Sequence, residues 1–103
     1  MLNIFKNLFS SPPEADYSNL LKEGAMIVDV RTKGEFNSGH IKGSINIPLD
    51  EIETKAAELK KKNKVIITCC RSGNRSGVAK SILENAGIVC YNGGAWDILD
   101  NKI

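Results

Sequence analysis

Long apolar runs are missing from this chain. No stretch approaches the roughly 18 consecutive apolar residues of a membrane span, so no stable membrane insertion is expected. The N-terminal segment carries Leu2, Ile4, Phe5, Leu8 and Phe9, but Asn3, Lys6 and Asn7 interrupt them. A secretory signal needs an unbroken apolar core of about 7–15 residues, which this segment lacks. Cysteine is scarce as well. Cys69, Cys70 and Cys90 make an odd number with no repeating spacing, a poor disulfide framework. Adjacent cysteines such as Cys69 and Cys70 would strain the backbone if they paired. A reducing compartment, the cytoplasm, is the expectation. Histidine occurs once, at His40, and no C-x2-C pair is present, which argues against a four-ligand zinc site. Neither a metal nor a cofactor is expected. Charge of one sign is also lacking. The 14 basic and 12 acidic side chains leave a net charge of +2, giving no global case for nucleic acid binding. There is no internal repeat and no low-complexity tract.

What is there reads as one α/β domain. At 103 residues the chain is long enough for a single core. Ser10-Ser11-Pro12-Pro13 breaks regular structure, so residues 1–15 read as an arm and hinge and 16–103 as the domain. The arm is expected to pack on the domain, with a weak contact to a partner or membrane surface as the alternative. Tyr17 to Glu23 is a helix candidate stopped by Gly24. Met26 to Val30 is a short buried strand. Lys33 to Ser38 makes one helical turn closed by Gly39, and Ser44 to Ile47 a strand ended by Pro48. Asp50 is expected to cap the next helix, with Glu53 completing a capping box. Ile52, Ala56 and Leu59 follow at helical spacing. Val65 to Cys69, apolar on both faces, reads as a central parallel strand. Val78 to Ala86 is a helix ended by Gly87, Ile88 to Tyr91 a strand, and Trp96 to Leu99 a short last helix. Alternating strands and helices imply a mainly parallel sheet covered on both faces, with ligands at the carboxyl ends of the strands.

One such end carries the chemistry. The stretch Val65 to Gly77 is VIITCCRSGNRSG. Small residues in Arg71-Ser72-Gly73-Asn74-Arg75 let backbone N–H groups turn inward as an anion nest. The following helix adds its own free N–H groups and the positive end of its dipole. A thiol at the base of this bowl should fall below the usual pKa of about 8.5. Side chains alternate along a strand, so Cys69 and Cys70 should point in opposite directions. Cys70, read as the first loop residue, is the reactive candidate. Cys69 and Cys90 are expected to be small core hydrophobes. The spacing from Cys70 to Arg75 is C-x4-R. Cysteine phosphatases use the wider C-x5-R, whose last position here is Ser76, so phosphatase and arsenate reductase chemistry are disfavoured. A tighter bowl suits one sulfur added to the thiolate.

These residues, taken together, resemble the rhodanese family of sulfurtransferases. The resemblance rests on Asp29-Val30-Arg31, Glu35-Phe36, Gly39-His40-Ile41-Lys42-Gly43-Ser44, Asn46-Ile47-Pro48, Cys70 to Ser76, and Gly93-Gly94 with Trp96. It covers about Met26 to Trp96 and is similar to the small single-domain members. It implies a rhodanese-like fold with a sheet of about five strands flanked by helices. It also implies sulfur transfer from thiosulfate, or a similar small anionic donor, through a persulfide on Cys70. The acceptor would be cyanide in an assay, or a small thiol or thioredoxin-like protein. A sulfur carrier or anion-binding module acting with a partner is the alternative. The loop Arg71, Ser72, Gly73, Asn74, Arg75 and Ser76 would bind the anion. Arg75 would either bind substrate or pair with a carboxylate and brace the loop. Asp29 and Arg31 are read first as a structural pair and second as support for the site. His40 is read as a turn residue and only a weak candidate base. Family members often place three residues between Gly-Gly and Trp. Here Ala95 stands alone, which leaves the packing of the last helix open.

Overall fold

The computed structural model describes residues 15–103, so the expected arm lies outside the described residues, apart from Ala15. The chain order is α1 (Tyr17–Lys22), β1 (Met26–Asp29), α2 (Lys33–Ser38), β2 (Ile45–Asn46), α3 (Leu49–Lys61), β3 (Ile66–Cys70), α4 (Asn74–Asn85), β4 (Cys90–Ala95) and α5 (Trp96–Asp100). The strands form one parallel sheet in the order β2-β1-β3-β4, four strands among the described residues. Parallel strands need crossovers, and here helices supply them.

β3 is central and buried along its whole length. Its side chains divide by the two-residue period of a strand. Ile66 and Cys70 join Val28 and Val30 of the β1 segment, and α3 and α4 cover them with Ile52, Leu59, Ala79 and Leu83. Ile67 and Cys69 face the other way, packed with Ile27, Ile41, Tyr17 of α1 and Leu99 of α5. The short junction through Ala95 therefore still delivers Leu99 to the core, where it is fully buried.

Several expected boundaries move, among them the last strand, expected at Ile88 to Tyr91 and found at Cys90–Ala95. α3 begins at Leu49 with Pro48 as N-cap and no side-chain cap bond, so Asp50 lies in the first turn instead of capping it. Proline's fixed φ suits a helix start, and Leu49 N–H is already spent on Val30 O at 3.1 Å. The capping box belongs to α2: Thr32 Oγ1 accepts from Glu35 N–H, and Thr32 N–H donates to the Glu35 carboxylate. β3 ends at Cys70, paired with Ala95, so Cys70 is the last strand residue and not the first of the loop. α4 starts at Asn74, so Asn74, Arg75 and Ser76 lie in its first turn. The loop proper is only Arg71-Ser72-Gly73.

β4 runs through the two glycines, with an irregularity opposite Thr68 to Cys70. The close approach there requires glycine. A Cβ on Gly93 would lie 2.8 Å from Leu99 Cδ2 and 2.9 Å from both Ile67 Cγ2 and Thr68 O. Gly93→Ala is expected to cost about 1–3 kcal/mol through overpacking, measured as a shifted urea midpoint with unchanged slope.

Candidate functional site

The carboxyl end of β3 delivers Cys70 to the start of α4. Gly73, at φ 98°, takes the left-handed conformation that folds the three-residue loop back over the sulfur. Gly73 N–H then donates to Cys70 Sγ at 3.0 Å and Ser76 N–H at 3.4 Å. Ser76 Oγ is also 3.4 Å from the sulfur. Burial pushes the Cys70 thiol up, but hydrogen bonds from the Ser76 hydroxyl and from the Ser76, Ser72 and Gly73 N–H groups outweigh it, and the net shift is downward. For the other two thiols burial wins: no hydrogen-bond donor lowers Cys69, and the Thr68 donors near Cys90 do not offset its desolvation. Burial pushes Cys69 up to about 12 and Cys90 up to about 11. Both stay protonated near neutrality and are core residues.

Ser76 is fully buried and has one hydroxyl proton for two acceptors. Asn92 Oδ1 lies at 2.6 Å and the sulfur at 3.4 Å. The hydroxyl donates to Asn92 Oδ1, and in its contact with the sulfur either atom can be the donor. Asn92 Oδ1 also accepts from Gly94 N–H at 3.0 Å. Thr68 Oγ1 adds a tie from β3 to α4, donating to Ser76 O at 2.9 Å. Asn92 and Thr68 escaped the sequence reading. Their contacts join segments 8 and 16 residues apart, which no local pattern signals.

The three arginines have different environments. Arg75 makes a bidentate pair with Glu35, Nη1 to Oε1 at 2.7 Å and Nη2 to Oε2 at 3.0 Å. It braces the first turn of α4 against α2. Arg31 is buried against Asp29, with Nη2 to Oδ2 at 2.7 Å and Nε within 3.0 Å of both oxygens. Its remaining donors reach Gly39 O at 2.6 Å and Glu35 O at 3.2 Å, and its guanidinium lies 4.7 Å from the Trp96 ring centroid. Arg71 is exposed and lines a cleft of about 470 Å³ with Arg31, Glu35, Gly39, Trp96 and Asp97. Ser72 and Asn74 are exposed at the loop. His40 is exposed too; it stacks on Phe36 at 3.7 Å, with Nδ1 2.8 Å from Phe36 O, and closes the turn after α2.

The Glu35 brace makes the site acid-sensitive. Arg75 first, and Thr32 N–H second, hold the Glu35 carboxyl down at about 2 against an ordinary 4.5. A carboxylate with a depressed folded pKa contributes stability that is present above about 4.5 and lost as pH falls toward about 2. Thermal midpoints of wild type and Glu35→Gln are expected to converge over that window and to stay apart above it. The pair is partly exposed, so the gap is expected to be modest.

With this geometry in place, comparison with known proteins decides the family. The model for the rhodanese-like domain matches residues 14–99. The chain belongs to the rhodanese-like family. It is similar to the thiosulfate sulfurtransferase PspE of Escherichia coli, 35% identical over 79 residues that cover 74% of this chain and 76% of that one. It is also similar to the putative sulfur carrier protein YrkF of Bacillus subtilis, 38% identical over 65 residues, 63% of this chain but 35% of that one. Among solved structures, a rhodanese with anions from E. coli superposes with a TM-score of 0.65 at 33% identity, covering 72% of this chain and 89% of that one. The human single-domain sulfurtransferase TSTD1 shares the fold, with a TM-score of 0.66 at 24% identity over 87% of this chain and 97% of that one. The rhodanese-like parallel sheet flanked by helices expected from the motifs is therefore established. Among the described residues no helix is long and apolar enough to cross a membrane.

Proposed function

We propose that the chain is a thiosulfate-type sulfurtransferase that works through a persulfide on Cys70. The supporting observation is the sulfur's setting: N–H donors from Gly73 and Ser76 converge on it at the start of a helix, and its pKa is lowered despite burial. The Cys70 thiolate attacks the outer sulfur of thiosulfate. A bond forms from Cys70 Sγ to that sulfur, the thiosulfate S–S bond breaks, and sulfite leaves with the electron pair. The same N–H groups hold the anionic persulfide, so no general base is needed. An acceptor thiolate, from a small thiol or a thioredoxin-like protein, then takes the outer sulfur and Cys70 returns as thiolate. Arg71, exposed beside the cleft, meets the anionic donor. Asn74 and Ser72 complete the loop, while Arg75, Asp29 and Arg31 support it. Cys70 has no exposed surface, so attack requires the short Arg71 to Gly73 loop to open slightly. Three free thiols fit a reducing cytoplasm.

A second reading, a sulfur carrier loaded by a partner protein, has its own support. Arg31 and Arg75 are committed to carboxylates, leaving Arg71 to attract a free dianion. Intact mass after brief incubation with thiosulfate tests the first reading. Wild type is expected to gain one sulfur atom and to turn over with cyanide or a thiol. No gain would overturn the thiosulfate reading in favour of the carrier.

A further inference from the structure

We propose that Asn92 is a positioning residue for the sulfur-binding loop: from β4, it grips two of the residues whose N–H groups face Cys70. The inference rests on Cys70 being the reactive thiol, though not on which donor loads it. Gly73 N–H and Ser76 N–H donate to the sulfur at 3.0 and 3.4 Å. Asn92 holds both. Its Nδ2 donates to Gly73 O at 3.0 Å, and its Oδ1 accepts the Ser76 hydroxyl at 2.6 Å. Gly94 N–H, donating to Oδ1 at 3.0 Å, fixes which end of the carboxamide is oxygen. One neutral side chain thus spans the loop and the first helical turn with a donor at one end and an acceptor at the other.

The alternatives fit poorly. Aspartate would present oxygen to Gly73 O and add a charge near the thiolate. Leucine would leave the Gly73 carbonyl and the Ser76 hydroxyl unmatched. A longer side chain would crowd α4, since even a Cβ added at Gly77 would lie 3.2 Å from Asn92 Nδ2. Asn92 touches no reacting atom. It acts by keeping Gly73 and Ser76 aimed at the sulfur, and therefore by keeping the thiolate favoured.

The test is the pH dependence of Cys70 alkylation by iodoacetamide on the full chain, followed by intact mass. Cys69 and Cys90, pushed up to about 12 and about 11, remain thiols over the working range. The high-pH plateau reports access to the sulfur, and the midpoint reports the thiolate. Asn92→Ala is expected to raise the midpoint by about one unit, which slows alkylation about tenfold below it. A purely structural role would lower the thermal midpoint and leave the pH midpoint in place, and that result would overturn the proposal. Wild type provides a second readout that needs no variant to fold. The Asn92 side-chain amide resonances in asparagine-labelled protein should shift with the same pH midpoint as alkylation. Resonances that stay fixed across that midpoint would also overturn it. A wild-type Cys70 whose alkylation midpoint lies no lower than that of a free thiol would overturn the reactive-thiol reading, and the proposal with it.

Discussion

Cys70→Ser is expected to abolish sulfur loading while leaving the fold intact. A serine oxygen fits the space of the sulfur and can still accept from Gly73 N–H and Ser76 N–H. It cannot supply a thiolate near neutral pH, and nothing beside it could act as a strong base. Turnover should fall at least about a thousandfold, the order seen when a covalent nucleophile is removed. The mass gain after thiosulfate should vanish. Cys69→Ala and Cys90→Ala are the controls. Both residues are buried thiols with raised pKa values, so each variant should lose some stability and keep its sulfur gain. A sulfur gain that survives in Cys70→Ser would place the persulfide on another cysteine. Loss of the gain in Cys69→Ala, with the fold retained, would assign the adjacent thiol a part in transfer.

The contrast between Cys69 and Cys70 was legible because strand alternation is a local rule. It separates the two thiols to opposite faces of β3, and the packing follows. The exact ends of elements were less legible, for reasons visible in two competing signals. Asp50 with Glu53 and Thr32 with Glu35 both have the spacing of a capping box. The proline at position 48 starts α3 early and removes Asp50 from the cap, while Thr32 precedes α2 with nothing to displace it. The change from apolar residues to arginine points to a strand end at Cys69, one residue early. Pairing with Ala95 of β4 carries the ladder one residue further. Arg75 showed the limit most plainly. Its loop position allowed either a substrate contact or a brace. Only the fold brings Glu35, 40 residues earlier, to within 2.7 Å of it. Asn92 was silent for the same reason. Its neighbours in sequence are Tyr91 and Gly93, and its function lies in contacts to Gly73, Ser76 and Gly94.

Arg31→Ala is expected to be the most destabilising single change at the site, by about 3–5 kcal/mol, the range for removing one partner of a buried ion pair. Asp29 is fully buried and Arg31 is 4% exposed. Without the guanidinium, the buried Asp29 carboxylate loses its ion-pair partner and keeps the backbone N–H of residue 31, which donates one bond at 3.0 Å. Gly39 O and Glu35 O lose donors too, and the Trp96 ring loses the cation against its face. Arg31→Lys separates charge from geometry. Lysine restores a positive charge, but a single ammonium cannot span Asp29, Gly39 O and Glu35 O as the planar fork does. It should recover only part of the loss. Urea unfolding of the three proteins measures this directly, with similar slopes and midpoints in the order wild type, Arg31→Lys, Arg31→Ala. Where Arg31→Lys folds, its Cys70 should still load sulfur, because neither Asp29 nor Arg31 contacts the sulfur directly. A folded Arg31→Lys protein that fails to load would move Arg31 from support of the fold to contact with the donor.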